Sequence, residues 1–202
     1  MRLLAQHSLG FDPAQAWKGG EATLRSETRL FRHLGVVRQS PHTGRSHDFT
    51  RLECPDWVHV IAFTEVGELL AVEQFRHGIN SATLEAIGGV CDPGEVPELT
   101  ARRELLEETG HQSDSWLSLG WCSPNPAIQD NRCHFFLALG CQPVAELDLD
   151  PSEELRVWAV PWREWEAKLE SGEIHHALVL AAFFRLRLWQ GWDNLRATLE
   201  RL

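Results

Sequence analysis

The sequence predicts a mixed α/β sandwich, and three observations in its middle third support this prediction. The run Trp57–Phe63 is apolar and rich in β-branched residues, which is typical of a buried strand. A turn at Val66–Glu68 separates this run from Leu69–Phe75, and the pair therefore predicts a hairpin. A clear helical segment follows at residues 98–109, so strands and a helix alternate within one stretch of chain.

Both ends of this helix are marked in the sequence. Pro97 stands in the first turn, Glu98 lies at the positive end of the helix dipole, and Gly110 occupies the position of a left-handed C-cap. Leu99 and Leu106 share one side of the helix, with an alanine and a third leucine at its flank. We expect that apolar side to pack on a sheet.

The remaining elements complete the sandwich. Residues 1–20 contain glycines and a proline, and predict little regular structure. Strand-like sequence on both sides of the polar turn Ser40–Ser46 predicts a small N-terminal antiparallel sheet, formed by Glu27–Val37 and Phe49–Leu52. Further strands are predicted at Leu117–Cys122, His134–Leu139 and Leu155–Pro161, and two last helices at about Pro161–Glu170 and after Gly172. We place the domain boundary after residue 52, with residues 53–202 forming the second domain.

Composition narrows the class of protein. The net charge of −10 argues against nucleic acid as a partner, because phosphate backbones are held mainly by lysine and arginine. The longest apolar stretch, Ala177–Phe184, is too short to span a bilayer, and the N-terminus does not resemble a signal peptide. Five cysteines without a C-x-x-C pair argue against a disulfide framework and against structural zinc. We therefore expect a soluble cytoplasmic protein.

One motif carries the chemistry. A glycine-bearing loop from Gly89 to Glu95 leads into the predicted helix, and together they read G-x5-E-x7-R-E-L-x-E-E-x-G. At 3.6 residues per turn, Glu104, Glu107 and Glu108 fall within an arc of roughly 100° on one helical face. Crowded carboxylates repel one another unless a cation neutralises them, and oxygen ligands suit Mg²⁺ or Mn²⁺. Such ions would bind phosphate oxygens and activate a water molecule.

The alternative is a solvated helix on which glutamates cluster by chance. The Glu107–Glu108 pair alone would favour that alternative. The complete pattern, with both glycines, Glu95 and Arg103 in register, argues strongly for a metal site. Arg103 stands four residues before Glu107 and could orient it.

These residues match the box of Nudix hydrolases, which this chain resembles at every charged position and at both glycines. Only His111 departs from the pattern, where an aliphatic residue is usual. The resemblance implies a Nudix-type α/β/α sandwich with a mixed β-sheet, preceded by the small N-terminal antiparallel sheet. It covers about residues 25–188, most of the chain.

Segments outside the box resemble the ADP-ribose pyrophosphatase branch of the family, which also hydrolyses nucleoside diphosphate sugars. Val72–Gly78 is similar to its Q-[YF]-R-x-G segment, and Glu85–Gly89 to its E-x-P-[AG]-G segment, with Ile87 in place of proline. Ser123–Ala127 and the stretch from Gly172 also fit this branch.

The resemblance implies a role for each matching residue. Metal ligands would be Gly88 through its carbonyl oxygen, Glu104, Glu108 and the loop residue Glu153, with Glu107 in support. The general base would lie on the same loop, with Glu153 as first choice and Glu154 and Asp150 as alternatives. Substrate contacts would come from Arg76, Glu85, Gln74 and Asn125. Trp57 is another candidate contact, although packing in the core is its ordinary role. The pair His175–His176 is interpreted as structural.

The sequence therefore predicts Mg²⁺-dependent cleavage of ADP-ribose or a nucleoside diphosphate sugar into a nucleoside monophosphate and a sugar phosphate. Two alternatives remain: a house-cleaning nucleoside triphosphate pyrophosphohydrolase, and a non-catalytic Nudix module that senses a nucleotide. The family also implies a homodimer formed through the N-terminal sheet.

Overall fold

The computed structural model describes residues 16–149 and 154–201. These residues fall into two compact units. The first holds the N-terminal part up to Cys54 together with Asn125–Asp130, and the second holds Pro55–Pro124 and the chain from Asn131 onward. No helix in the described part is long and apolar enough to cross a membrane.

The first unit contains the N-terminal antiparallel sheet that the sequence predicts. Its strands are β1 (Lys18–Glu27), β2 (Arg32–Gln39) and β3 (Ser46–Glu53), in the order β1-β2-β3. Two details of the prediction were wrong: β1 begins within the segment expected to be irregular, and Glu27–Val37 is not one strand. The Gly19–Gly20 pair suggested a break, but glycine is tolerated where β1 has an irregular register against β2.

The second unit is built on a mixed sheet of eight strands. Its central order is β11-β5-β4-β10-β8, with β6 on β5, β7 on β4 and β9 on β10. Strand β4 runs parallel to β10, and every other pair is antiparallel. The strands are β4 (Trp57–Thr64), β5 (Glu68–Arg76), β6 (Ser81–Glu85), β7 (Ile87–Val90), β8 (His111–Gln112), β9 (Ser115–Cys122), β10 (Cys133–Pro143) and β11 (Leu155–Pro161).

Four helices cover the two faces of this sheet: α1 (Pro97–Thr109), α2 (Trp162–Ser171), α3 (Ala177–Leu188) and α4 (Trp192–Leu199). On β4, Val58 and Val60 pack in the same cluster as α1, whereas Ile61 and Phe63 pack with α2, α3 and α4. The α/β/α sandwich is thereby confirmed. The prediction of three helices was wrong, because α4 has only eight residues and buries little beyond Trp192 and Leu199.

Helix α1 begins and ends as predicted, but its buried face differs from the expectation. Gly110 caps it with a left-handed φ of 69°. Leu99 is 56% exposed, and the sheet is contacted by Ala101 and Leu105. Glu104 and Glu108 lie beside these residues on the buried side, so the apolar pattern of the sequence pointed to the wrong face.

Candidate active site

Two glutamates of α1 lie against the backbone of β7. Glu104 and Glu108 are 8% and 4% exposed, respectively. The amide of Gly88 donates a hydrogen bond to Oε2 of Glu108 at 3.3 Å. A Cβ atom added at Gly89 would lie only 2.0 Å from Cδ of Glu104. Glycine at position 89 therefore allows the carboxylate of Glu104 to approach the strand.

Arg103 joins this helix to the loop that precedes it. Its Nη1 donates to Glu104 Oε1 at 2.9 Å and to Glu107 Oε2 at 2.8 Å. Its Nη2 donates to the carbonyl oxygen of Val90 and to Glu95 Oε2, both at 3.2 Å. Partial burial would lower the pKa of Arg103, but the hydrogen bond to Glu95 and the charges of Glu104 and Glu107 raise it. One cation thus offsets repulsion among three carboxylates.

Glu95 is the loop partner that holds Arg103 in place. Its Oε2 accepts hydrogen bonds from the buried hydroxyl of Thr100 at 2.8 Å and from the amide of Asp92 at 3.2 Å. The hydrogen bond from Arg103 lowers the pKa of Glu95, and the bonds from Thr100 and Asp92 act in the same direction. The loop, β7 and α1 are therefore fixed to one another by a single ionic network.

The donor atoms gathered here suit a hard divalent cation. The carboxylates of Glu104 and Glu108 offer oxygen ligands, which Mg²⁺ and Mn²⁺ prefer, and they lie against the strand that contains Gly88. Within residues 16–149 and 154–201, no group of three or more histidine, cysteine, aspartate or glutamate side chains is placed so that it could hold a metal ion. Glu153, the predicted loop ligand, lies outside the described residues, as does Asp150.

A cavity of about 400 Å³ lies beside this network. Trp57, Arg76, Gly88 and Gly89 line it, so the structure brings together two predicted substrate contacts and one predicted metal ligand. Trp57 is the first residue of β4, and it pairs with Val90 of the neighbouring strand β7.

Arg76 is held at this cavity by a buried carboxylate. Its Nε and Nη2 donate to Glu85 Oε1 and Oε2 at 2.8 and 2.7 Å, and the hydroxyl of Thr83 also donates to Glu85. Burial raises the pKa of Glu85, but its hydrogen bonds from Arg76 and Thr83 outweigh this and lower it. Glu85 is 0% exposed and holds Arg76 at the cavity, and its contact with the substrate stays a prediction.

Two histidines form another part of the cavity wall. His59 on β4 is 4% exposed, and its ring centroid lies 5.6 Å from that of His176. Desolvation by burial lowers the pKa of His59 to about 4, and the nearby His176 adds to this effect. Burial also lowers the pKa of His176, whose Nδ1 accepts a hydrogen bond from the amide of Val179 and caps α3. Both rings are neutral at pH 7.

The other predicted site residues lie elsewhere. Gln74 and the exposed Glu154 line a separate cavity of about 310 Å³, together with Phe75 and Arg156. Asn125 belongs to the first unit, where its carbonyl oxygen accepts hydrogen bonds from the amides of Ile128 and Gln129.

Sequence reasoning missed His59, Thr83 and Thr100. His59 interrupts an apolar strand, and a lone polar residue in such a run was the available signal. Thr83 and Thr100 gave no signal, because their importance depends on carboxylates that only the fold brings near them.

Replacement of Gly89 by alanine is expected to lower catalytic activity by at least about tenfold, because the new Cβ displaces the carboxylate of Glu104. Steady-state kinetics in Mg²⁺ measures this loss. Gly78→Ala is the matched control, since a Cβ there meets nothing within 4 Å. Equal activities of the two variants would show that the approach of Glu104 to Gly89 is unimportant.

Stability is expected to fall as the pH decreases from 7 to 5. The pKa of His59 is 6.5 ordinarily and about 4 in the fold, so the unfolded chain binds more protons between these values. Between pH 7 and pH 5 the effect would be on the order of 2 kcal/mol. Urea unfolding with a chelator at both pH values measures it, and His59→Asn should show a smaller difference. His176, whose pKa is also lowered by burial, acts in the same direction, so His59→Asn should retain part of the difference. An unchanged difference in His59→Asn would contradict the assignment.

Comparison with known proteins decides the family. The NUDIX domain model matches residues 55–183, which is more than half of the chain. The chain belongs to the Nudix family. The matched region includes the whole second-unit site described above, from Trp57 to His176.

Curated Nudix relatives include two named ADP-ribose pyrophosphatase. The chain is 33% identical over 135 residues to the one from Bacillus subtilis, covering 66% of this chain and 73% of that protein. It is 30% identical over 126 residues to the one from Mycobacterium tuberculosis, covering 61% of each. It is also 34% identical over 104 residues to the methanol dehydrogenase activator of Bacillus methanolicus, covering 50% of this chain and 56% of that protein.

A solved structure described as an ADP compounds hydrolase shares the fold. It superimposes with a TM-score of 0.76 at 21% identity, and the match covers 92% of this chain and 100% of the other. This likeness supports the Nudix architecture, including the antiparallel sheet before the Nudix domain.

Proposed function

We propose that this Nudix protein hydrolyses the diphosphate bond of ADP-ribose or of a nucleoside diphosphate sugar, giving a nucleoside monophosphate and a sugar phosphate. The observation that carries this proposal is the pair of α1 carboxylates against Gly88 and Gly89, next to a cavity that contains Arg76. The two ADP-ribose pyrophosphatases among its relatives favour this class of substrate.

Mg²⁺ is the proposed cofactor, with Mn²⁺ as a substitute. Glu104, Glu108 and the carbonyl oxygen of Gly88 would hold it, with Glu107 in support and Glu153 as a further ligand. When bound, the ion supplies neutralisation of phosphate charge and a water molecule of lowered pKa. Partly exposed Glu107 is fixed by Arg103 at 2.8 Å, which favours a supporting role for it.

The chain's own residues bind and orient the substrate. Arg76 is fixed by two hydrogen bonds to Glu85, and we propose that its guanidinium binds a phosphate group. Trp57 offers an apolar wall to the same cavity. We propose that Glu153 accepts the proton of the attacking water, with Glu154 and Asp150 as alternatives.

A substrate panel tests the proposed function. Initial rates are measured in Mg²⁺ for ADP-ribose, UDP-sugars, GDP-sugars and deoxynucleoside triphosphates. We expect kcat/KM to be highest for a diphosphate linked to a sugar. Faster turnover of the triphosphates than of every linked diphosphate would instead establish a house-cleaning pyrophosphohydrolase.

We also propose that the protein is a homodimer that associates through its first unit. All ten residues of β1 are exposed, and Leu24 and Phe49 in the same sheet are 46% and 42% exposed. Apolar side chains on a sheet surface are typical of interfaces. Light scattering at micromolar concentration should give twice the chain mass, and a monomeric mass would contradict the proposal.

A cytoplasmic location remains part of the proposal. All five cysteines are free thiols, and three of them, Cys91, Cys133 and Cys141, are buried. Burial raises the pKa of each of these three thiols, which keeps them protonated. Unpaired thiols of this kind are compatible with a reducing compartment.

A further inference from the structure

The buried imidazole of His59 has a hydrogen-bonding requirement that the described residues do not meet. Its Nδ1 is buried and has no hydrogen-bond partner within the part of the chain that the structure describes. Buried polar atoms without a partner are rare in native proteins, because losing water without a replacement is costly. An atom of this kind in the wall of a cavity indicates that a ligand supplies the partner.

Two other polar side chains in or beside the cavity wall already have partners. Nδ1 of His176 accepts from the amide of Val179, and the carboxylate of Glu85 accepts from Arg76 and Thr83. The described lining of the cavity contains no aspartate or glutamate, so it does not resemble a cation site. In contrast to these two groups, Nδ1 of His59 has no partner in the described part of the chain.

Glycine at position 88 packs closely against this nitrogen. A Cβ atom at position 88 would lie 2.8 Å from Nδ1 of His59, and Gly88 itself lines the cavity. A side chain there would cover the nitrogen from the cavity side.

The chemistry of the wall selects a neutral hydroxylated group. The ring of His59 also hydrogen-bonds the backbone of Ala86, so the other nitrogen, Nδ1, is the acceptor of the neutral ring. A hydroxyl can donate to it, whereas phosphate oxygens only accept, and the charge of Arg76 disfavours an ammonium donor. Trp57, Ile79 and Leu178 add apolar surface against which a sugar ring can pack, and Arg76 provides a charge for an attached phosphate.

We propose that His59 is a specificity-determining residue that hydrogen-bonds a hydroxyl of the sugar beyond the diphosphate, while Arg76 binds the adjoining phosphate. This inference rests on the proposed function, since it assigns the sugar-bearing half of the same substrate to this cavity. It explains why a polar side chain is buried within the apolar strand β4.

The test compares two substrates in the wild type and in three variants. ADP-ribose carries the sugar, and the methyl ester of ADP carries the same nucleoside diphosphate without it. In His59→Phe, which keeps a ring without hydrogen-bonding atoms, kcat/KM for ADP-ribose should fall about tenfold further than that for the methyl ester. His59→Asn places a polar atom near the position of Nδ1. It should restore most of the preference for ADP-ribose, measured as the ratio of kcat/KM for ADP-ribose to that for the methyl ester.

His176→Asn is the matched control, because this second histidine lines the same cavity but its Nδ1 already accepts from Val179. The ratio of its two kcat/KM values should stay within about twofold of wild type. Thermal unfolding of each variant establishes that the fold is retained. An equal loss on both substrates in His59→Phe, or a loss in His59→Asn as large as in His59→Phe, would overturn the inference.

Binding measurements separate this inference from the proposed function. Calorimetry with the non-hydrolysable α,β-methylene analogue of ADP-ribose should show weaker binding to His59→Phe by about tenfold. If the wild type binds this analogue about tenfold more tightly than His59→Phe does but cleaves no ADP-ribose, the proposed function fails and the role of His59 stands. If the wild type binds no analogue, the role of His59 is overturned as well.

Discussion

Glu108→Gln is expected to reduce kcat for ADP-ribose by about 1000-fold or more while the protein remains folded. The substitution keeps the size of the side chain but removes the charge that the proposed Mg²⁺ site needs. The amide of Gly88 would keep an oxygen acceptor at position 108, so the contact between β7 and α1 can survive.

Glu98→Gln is the matched control for this variant. Glu98 lies in the first turn of the same helix and forms an exposed ion pair with Arg102, away from Gly88 and Gly89. Its activity should remain close to wild type. Equal activity in both variants and wild type, or none in any of them, would remove the catalytic interpretation and favour a nucleotide-sensing module.

Arg103→Met is expected to lower activity by about a hundredfold and to reduce stability. The substitution leaves Glu95, Glu104 and Glu107 without the cation that hydrogen-bonds all three. The carboxylates would repel one another and lose the geometry on which metal binding depends. Raising the Mg²⁺ concentration should recover part of the activity.

The neighbouring Arg102 provides the control. Its guanidinium pairs with exposed Glu98 and lies 4.8 Å from the ring of Trp116, so Arg102→Met removes an equal charge outside the site. Kinetics across a Mg²⁺ titration and urea unfolding should show a small change in this variant. Similar losses in Arg102→Met and Arg103→Met would mean that net charge, and not the network of Arg103, matters.

The sequence predicted the parts of the fold that depend on local rules. Pro97 and Gly110 marked the ends of α1 because helix termini have specific conformational requirements. The hairpin of β4 and β5 followed from its turn and apolar strands. The start of β1 was not predicted because it contains two glycines, which are uncommon in strands. Helix α4 was not predicted because it is too short for a clear periodic pattern.

Predictions about the site depended on what the fold brings together. The box identified Glu104 and Glu108, but the apolar pattern placed their face away from the sheet, because a helix that buries carboxylates violates the usual pattern. The hydrogen bonds from Arg103 to Glu95 and from Thr83 to Glu85 depend on tertiary approach and side-chain rotamers. The sequence did not indicate a role for His59, because that role depends on the position of its unpartnered nitrogen beside the cavity.

The central claim is metal-dependent cleavage of a diphosphate linked to a sugar. Its most direct test is product analysis by ³¹P NMR after incubation of ADP-ribose with the protein in Mg²⁺, and in excess chelator. We predict AMP and ribose 5-phosphate in equal amounts with Mg²⁺, and intact ADP-ribose with chelator. Intact ADP-ribose in both samples, or equal cleavage in both, would contradict this account.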